Sequence, residues 1–289
     1  MQARSFDYVR PQSVPKAIQV LNEYGAQAKV LAGGQSLVPI LKLRLANPGI
    51  LVDINDLPGL AFIEERGSQL RIGALTRHRE FGSSKLVQSK YPILADAAGS
   101  LGDPQVRNRG TIGGALAHAD PASDWGTALM AFETELLARG SNGTRTIPIG
   151  RFFKGPFETP LRPSELLTEI RIPKSEPGDG GAYLKLKRKT GDFATVGVAV
   201  QMGVDSKGNI SRVRIGLAAV GPTPVRALRA EEALIGKRAG PVAFADAAKI
   251  AAQEAKPVSD LRGTEAYKRA MIDVFTRRAL QTALERTKR

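Results

Sequence analysis

Two glycine-bearing segments constrain this chain more than anything else in it. The first is Ala32-Gly33-Gly34-Gln35-Ser36-Leu37. It lies between an apolar run at residues 28–32 that reads as a strand and a segment at 36–45 that reads as a helix, with Pro39 held to its first turn. A second apolar strand is expected at 50–54. Glycine tolerates unusual backbone angles and close backbone approach, and a helix start offers unpaired N–H groups and a positive dipole end to an anion. A Gly-Gly pair alone is most often only a turn. The second segment is Arg109-Gly110-Thr111-Ile112-Gly113-Gly114-Ala115-Leu116-Ala117-His118-Ala119-Asp120-Pro121-Ala122-Ser123-Asp124. It adds glycine N–H donors and a threonine hydroxyl. Residues 99–124 show neither period and read as a long irregular stretch, which inside a compact domain is usually functional or mobile. Together the segments suggest a diphosphate held by backbone amides from two sides.

The rest of the chain supplies a frame. Residues 14–24 are apolar at helical spacing, with Ser13 as N-cap and Gly25 as stop. Alternating strands at 61–65 and 69–74 meet at Gly67-Ser68, and short helices are expected at 76–81 and 91–98. Residues 134–138 and 144–147 flank Ser141-Asn142-Gly143, a hairpin signal, and 165–172 is a further strand. Residues 175–181 read as a linker. Beyond it come strands at 182–188, 195–204 and 210–220, then helices at 225–234, 241–253 and from 264 to the end. Strands followed by helices suggest an α+β domain.

Composition excludes several chemistries. The 289 residues contain no cysteine, so this chain has no disulfide, thiolate metal site, cysteine nucleophile or cysteine-ligated iron–sulfur cluster. Its two histidines, His78 and His118, read as surface or loop residues and make a His-rich metal site improbable. No run reaches the roughly 18 to 20 apolar residues needed to span a bilayer. The start, Met-Gln-Ala-Arg-Ser-Phe-Asp-Tyr, lacks a secretory apolar core, so a cytoplasmic location is expected. Rossmann, P-loop, G-x-S-x-G and H-E-x-x-H signatures are absent. Asp120 and Asp124 stand four apart, so a paired-carboxylate site is conceivable.

The net charge of +14 is uneven. Residues 1–180 hold 21 basic and 18 acidic side chains; residues 181–289 hold 21 basic and 10 acidic. A basic face suits an acidic partner, an anionic surface or nucleic acid. Without a nucleic-acid module, and with aromatics at 6%, partner docking is the better reading.

In ordered combination these motifs are specific. The first segment, Gly110-Thr111-Ile112-Gly113-Gly114 and Asp120-Pro121-Ala122-Ser123-Asp124 resemble the FAD-binding medium subunit of the molybdenum hydroxylases, the xanthine dehydrogenase and aerobic carbon monoxide dehydrogenase family. So do the opening Phe6-Asp7-Tyr8 with Pro11, the run from Tyr183 through Ala194, and Gly221-Pro222-Thr223-Pro224-Val225-Arg226. The look is nearest to the carbon monoxide dehydrogenase flavoproteins.

The resemblance implies a two-subdomain α+β FAD-binding fold of the vanillyl-alcohol-oxidase (PCMH) type at 1–57 and 58–177. A C-terminal domain of three-stranded sheet and helix bundle would occupy 178–289. It implies that Ala32, Gly33, Gly34, Gln35, Ser36 and Leu37 bind the FAD diphosphate from one side, and Gly110, Thr111, Ile112, Gly113, Gly114 and Ala115 from the other. Leu101 and Leu167 would be apolar contacts, Asp124 the acceptor for a ribose or ribityl hydroxyl, and Lys185 a basic residue near the flavin. Phe193 stands where the carbon monoxide dehydrogenase flavoproteins typically carry Tyr near the ring, keeping the apolar face and losing the hydroxyl. No catalytic acid, base or metal ligand is expected of this chain. Partners implied are a large molybdenum–pterin subunit and a small subunit with 2Fe-2S clusters, assembled as a dimer of heterotrimers. A quinone, cytochrome or NAD would serve as external acceptor, with the inner face of the membrane open as a location. The alternatives are a stand-alone FAD-dependent reductase or oxidase of the same fold, and a basic nucleic-acid-binding protein.

Overall fold

Three sheets organise the computed structural model, which describes residues 2–287. The first is parallel. It is built from β1 (Asp7–Val9), α1 (Val14–Tyr24), β2 (Ala28–Leu31), α2 (Leu37–Lys42) and β3 (Ile50–Asp53), in strand order β1-β3-β2. All four residues of β3 are buried, as a central parallel strand requires. The Ser13 hydroxyl caps α1 by accepting from the Lys16 N–H at 3.3 Å, and Val14, Ala17, Ile18 and Leu21 turn inward against Ile50 and Val52. The helix expected at 36–45 ends at Lys42, and Arg44 takes a φ of +58°. This N-terminal core also takes in Leu75 and Leu166 from the next layer.

The middle layer runs β4 (Ile63–Arg66), β5 (Gln69–Gly73), α3 (His78–Ser83), α4 (Lys85–Lys90), α5 (Pro92–Ser100), α6 (Pro104–Arg109), α7 (Ile112–His118) and α8 (Asp124–Met130). It closes with β6 (Glu135–Gly140), β7 (Gly143–Pro148) and β8 (Leu166–Pro173). The strands form an antiparallel sheet in the order β4-β5-β8-β6-β7. Leu70, Ile72, Leu136 and Ile170 pack there with Phe81, Leu94, Leu116 and Trp125 from the helices. Residues 99–124 correct the expectation of an irregular stretch, because they hold two capped helices. The Asp103 carboxylate accepts from the Val106 N–H at 2.8 Å with Pro104 at the first helical position, and the Thr111 hydroxyl accepts from the Gly114 N–H at 3.1 Å. Helices of six and seven residues are too short to show a period, so their caps were the only signal.

The last layer is β9 (Gly180–Leu186), β10 (Val196–Val204), β11 (Ile210–Ala218), β12 (Val225–Arg226), α9 (Leu228–Leu234), α10 (Pro241–Glu254) and α11 (Glu265–Arg286). Its antiparallel order is β12-β11-β10-β9. The sheet therefore has four strands where three were expected. Val225 and Arg226 pair with Leu217 and Gly216 instead of opening a helix, because Pro222 and Pro224 hold the approach extended. The expected run of the final helix to the chain end falls, at residues 288 and 289, outside the described residues. The end of α11 docks on the start of β9. A Cβ on Gly180 would lie 2.0 Å from the Ala283 carbonyl oxygen, and Arg286 reaches Asp96 and the Gly181 carbonyl at 2.6 Å. Among the described residues no helix is long and apolar enough to cross a membrane.

Candidate functional site

Parallel strands β2 and β3 deliver their carboxyl ends to one side of the first sheet, where ligands of parallel sheets usually sit. The first glycine segment leaves β2 there and runs directly against the second. A Cβ on Gly33 would lie 2.3 Å from the Arg109 carbonyl oxygen and 2.7 Å from the Gly110 Cα. Gly34, at φ +74°, turns the chain into α2. Gly113 packs against Ala74, to whose carbonyl it donates at 2.9 Å.

The donor inventory is lopsided. The N–H groups of Gly33, Gly34, Gln35, Ser36 and Leu37 have no acceptor among the described residues. In the second segment most are engaged: Gly110 donates to Val106, Ile112 to Thr76, Gly113 to Ala74, and Gly114 and Ala115 to Thr111. Within Gly110–Ala115 the Thr111 N–H is the one without an acceptor among the described residues. The first segment carries the row of donors, and the second supplies close backbone approach and one N–H. Burial and the neighbouring Arg109 pull the Arg77 guanidinium below its ordinary range, and that guanidinium donates to the Arg109 carbonyl against which Gly33 packs, so a cation stands beside the row. Free main-chain donors next to a guanidinium group fit a diphosphate.

A second grouping lies between α8 and β9. Lys185 donates to Asp124 Oδ2 at 2.9 Å and to the Ser100 carbonyl at 3.4 Å, while the Tyr183 hydroxyl donates to Asp124 Oδ1. The Lys185 and Asp124 side chains are only 2% and 7% exposed. Burial and the Asp124 charge push the Tyr183 phenol far up. Both Asp124 oxygens thus accept from this chain's own side chains, each keeping a second lone pair. Asp120 does not join Asp124 in a carboxylate pair; its Oδ1 accepts from the Ala122 N–H in a local turn. Leu101 and Leu167 are buried in the middle core. Phe193 is half-exposed, with the Arg262 guanidinium 5.9 Å from its ring centroid, on a turn whose Gly191 faces Gly102 and Asp103.

His78 corrects a further expectation, for it is buried rather than a surface residue. Its Nδ1 accepts from the Trp125 indole N–H at 3.0 Å, and its ring packs so closely on Gly110 that a Cβ there would lie 2.7 Å from His78 Cδ2. It therefore links the second segment to α8. Sequence reading also missed Tyr183, Asn55 and Arg77. Asn55 lies two residues beyond β3, and that strand-end position was the one signal that could have pointed to it.

Burial, with Arg77 and Arg107 adding to it, pulls the His78 pKa down to about 4. The unfolded chain takes up this proton near pH 6.5, and the folded one only near 4. Stability should therefore fall as pH drops from about 6.5 to 4, by about 3 kcal/mol in all. Urea unfolding followed by the single tryptophan, Trp125, should show the advantage of wild type over His78→Leu shrinking across that window. A constant difference would sink the expectation.

Known proteins resemble this chain along nearly its whole length. The family described as the FAD binding domain in molybdopterin dehydrogenase matches residues 4–175, and the CO dehydrogenase flavoprotein C-terminal domain matches residues 181–283. The chain is 45% identical to the carbon monoxide dehydrogenase medium chain of Hydrogenophaga pseudoflava, over 97% of this chain and 98% of that one. It is 40% identical to the 6-hydroxypseudooxynicotine dehydrogenase complex subunit alpha of Paenarthrobacter nicotinovorans, over 100% and 97%. A solved Hydrogenophaga pseudoflava carbon monoxide dehydrogenase, lacking the Mo-pyranopterin moiety of its cofactor, matches with a TM-score of 0.96 at 47% identity over 99% of each chain. FAD is thus the cofactor, and the chain belongs to the family of FAD-binding medium subunits of the molybdenum hydroxylases, as an oxidoreductase subunit of the carbon monoxide dehydrogenase-like kind.

Proposed function

We propose that the chain is the electron-transfer subunit of a heterotrimeric molybdenum-containing dehydrogenase. It would take electrons from 2Fe-2S clusters on a small partner and pass them through FAD to an external quinone, cytochrome or NAD. Bound FAD supplies the redox step. The carrying observation is that relatives named for carbon monoxide and for 6-hydroxypseudooxynicotine align with this chain nearly end to end. Those molecules share no shape, so what this chain handles is common to both enzymes. The lack of cysteine fits clusters carried on another chain.

Within this reading the domains divide at 1–57, 58–177 and 178–289. The N–H groups of residues 33–37 and Thr111 bind the diphosphate, and the other glycines of the second segment give it room. Leu101 and Leu167 are apolar contacts to the cofactor. Asp124 accepts a cofactor hydroxyl on its spare lone pairs, with Lys185 balancing its charge, and Phe193 lies at the ring. The basic final third docks partners or an anionic acceptor in the cytoplasm or at the inner face of the membrane.

Purification from its natural host should recover one large and one small partner together with flavin, iron and molybdenum. High salt should weaken assembly or acceptor turnover more than FAD retention. A flavin-bearing chain that purifies alone and turns over an organic substrate would favour the stand-alone reductase instead.

A further inference from the structure

Two side chains outside both glycine segments join them. Asn55 Nδ2 donates to the Ala32 carbonyl at 2.6 Å, and an Arg77 Nη1–H donates to the Arg109 carbonyl. These are the carbonyls immediately before Gly33 and Gly110. The two side chains also meet each other, Arg77 Nη2 donating to Asn55 Oδ1 at 2.8 Å. One continuous bridge therefore runs from the first segment to the second.

Each half of the bridge is itself held. Asp53 Oδ1 accepts from the Asn55 backbone N–H at 2.9 Å and from its Nδ2 at 2.7 Å, and the Tyr8 hydroxyl donates to Asp53 Oδ2. Burial raises the Asp53 carboxyl, but these hydrogen bonds outweigh it and hold it below the usual range, so it stays an acceptor. With two acceptors at Nδ2 and a guanidinium at Oδ1, the Asn55 amide has one satisfied orientation. On the other side, the Arg77 N–H donates to Glu80 at 3.2 Å. Its neighbours lock onto the second segment, His78 N–H to Gly110 O and Ile112 N–H to Thr76 O, both at 3.1 Å.

The bridge has a directional consequence. In a trans peptide the carbonyl and the next N–H point opposite ways. Anchoring the Ala32 carbonyl on Asn55 therefore aims the Gly33 N–H away from Asn55, and Gly33 opens the row of free donors. We propose that Asn55 and Arg77 are positioning residues that set the spacing and orientation of the two glycine segments for the FAD diphosphate. The inference rests on the reading that these segments hold the diphosphate.

The test uses the full-length chain freed of flavin, titrated with FAD by fluorescence quenching. Its variants are Asn55→Ala, Arg77→Met, Arg77→Lys and the double Asn55→Ala/Arg77→Met. Each single variant should lower FAD affinity about ten- to a hundredfold, the size expected for a charge-assisted hydrogen bond. The double variant should be no worse than the poorer single one, because either change opens the same bridge. Arg77→Lys should behave like Arg77→Met, since an ammonium keeps the charge but cannot span two acceptors. Multiplying single effects, an Arg77→Lys chain that binds as wild type does, or unchanged affinity throughout would each overturn the proposal. The mild Arg77→Lys change decides the matter if the others fold poorly. Gly34→Val blocks the first segment without touching the bridge. If it leaves FAD binding intact, the diphosphate reading itself falls and the proposal with it.

Discussion

Gly33→Ala should give a folded chain that carries little or no FAD. The added methyl would sit 2.3 Å from the Arg109 carbonyl oxygen and 2.7 Å from the Gly110 Cα. Both obstacles are backbone, so no side chain can swing aside, and the segments must part. Overpacking of this kind costs about 1–3 kcal/mol. A domain with about 5–15 kcal/mol of stability survives that, but the donor row then moves away from Arg77 and the second segment. Gly33 lies outside the left-handed region, so the effect comes from close approach and not from backbone strain. Gly99→Ala is the control, because a Cβ there meets nothing within 4 Å. The ratio of flavin to protein absorbance, with a thermal midpoint for each variant, decides the outcome. Wild-type flavin content in Gly33→Ala would show that the contact is dispensable.

How far the site was legible follows from the same contact. Both glycine segments could be found because glycine at a strand end and a Thr-x-Gly-Gly string are local signals. That they touch was not local, since 77 positions separate Gly33 from Gly110. Their shared chemistry suggested that they act on one diphosphate and the resemblance to a family made that specific, but no local signal showed the contact itself. The engaged amides of the second segment were hidden for another reason. Thr76 and Ala74 accept from Ile112 and Gly113 across a loop-to-loop pairing that no periodicity announces. His78 misled because a histidine between two arginines looks solvated, whereas its partner, Trp125, lies 47 residues on. The strands of the last third were readable because each is long and bounded by turns. The two-residue β12 was not, being shorter than any pattern.

Lys185→Met should cost more than any surface substitution in the chain, about 3–5 kcal/mol. The variant would leave the Asp124 carboxylate, 7% exposed, with the Tyr183 hydroxyl as its remaining side-chain donor. A buried charge stripped of its counter-ion loses the Coulombic term and keeps the desolvation cost. Asp124 also opens α8, where the helix start favours a negative charge, and this softens the loss without replacing a full positive charge. Asp124→Asn should cost a similar amount, since it strands the Lys185 ammonium, 2% exposed, and puts one amide oxygen where two carboxylate oxygens accepted. The double variant should recover part of the loss, because neither residue then carries a charge into the interior. The pair joins the middle helices to β9, so its removal should loosen the last third from α8 first. Trp125, next to Asp124, sees that loosening directly as a shift of its fluorescence at urea concentrations below the main transition. A Lys185→Met chain within about 1 kcal/mol of wild type, in the range of an exposed pair, would mean that water reaches Asp124 and that the joint rests on apolar packing alone.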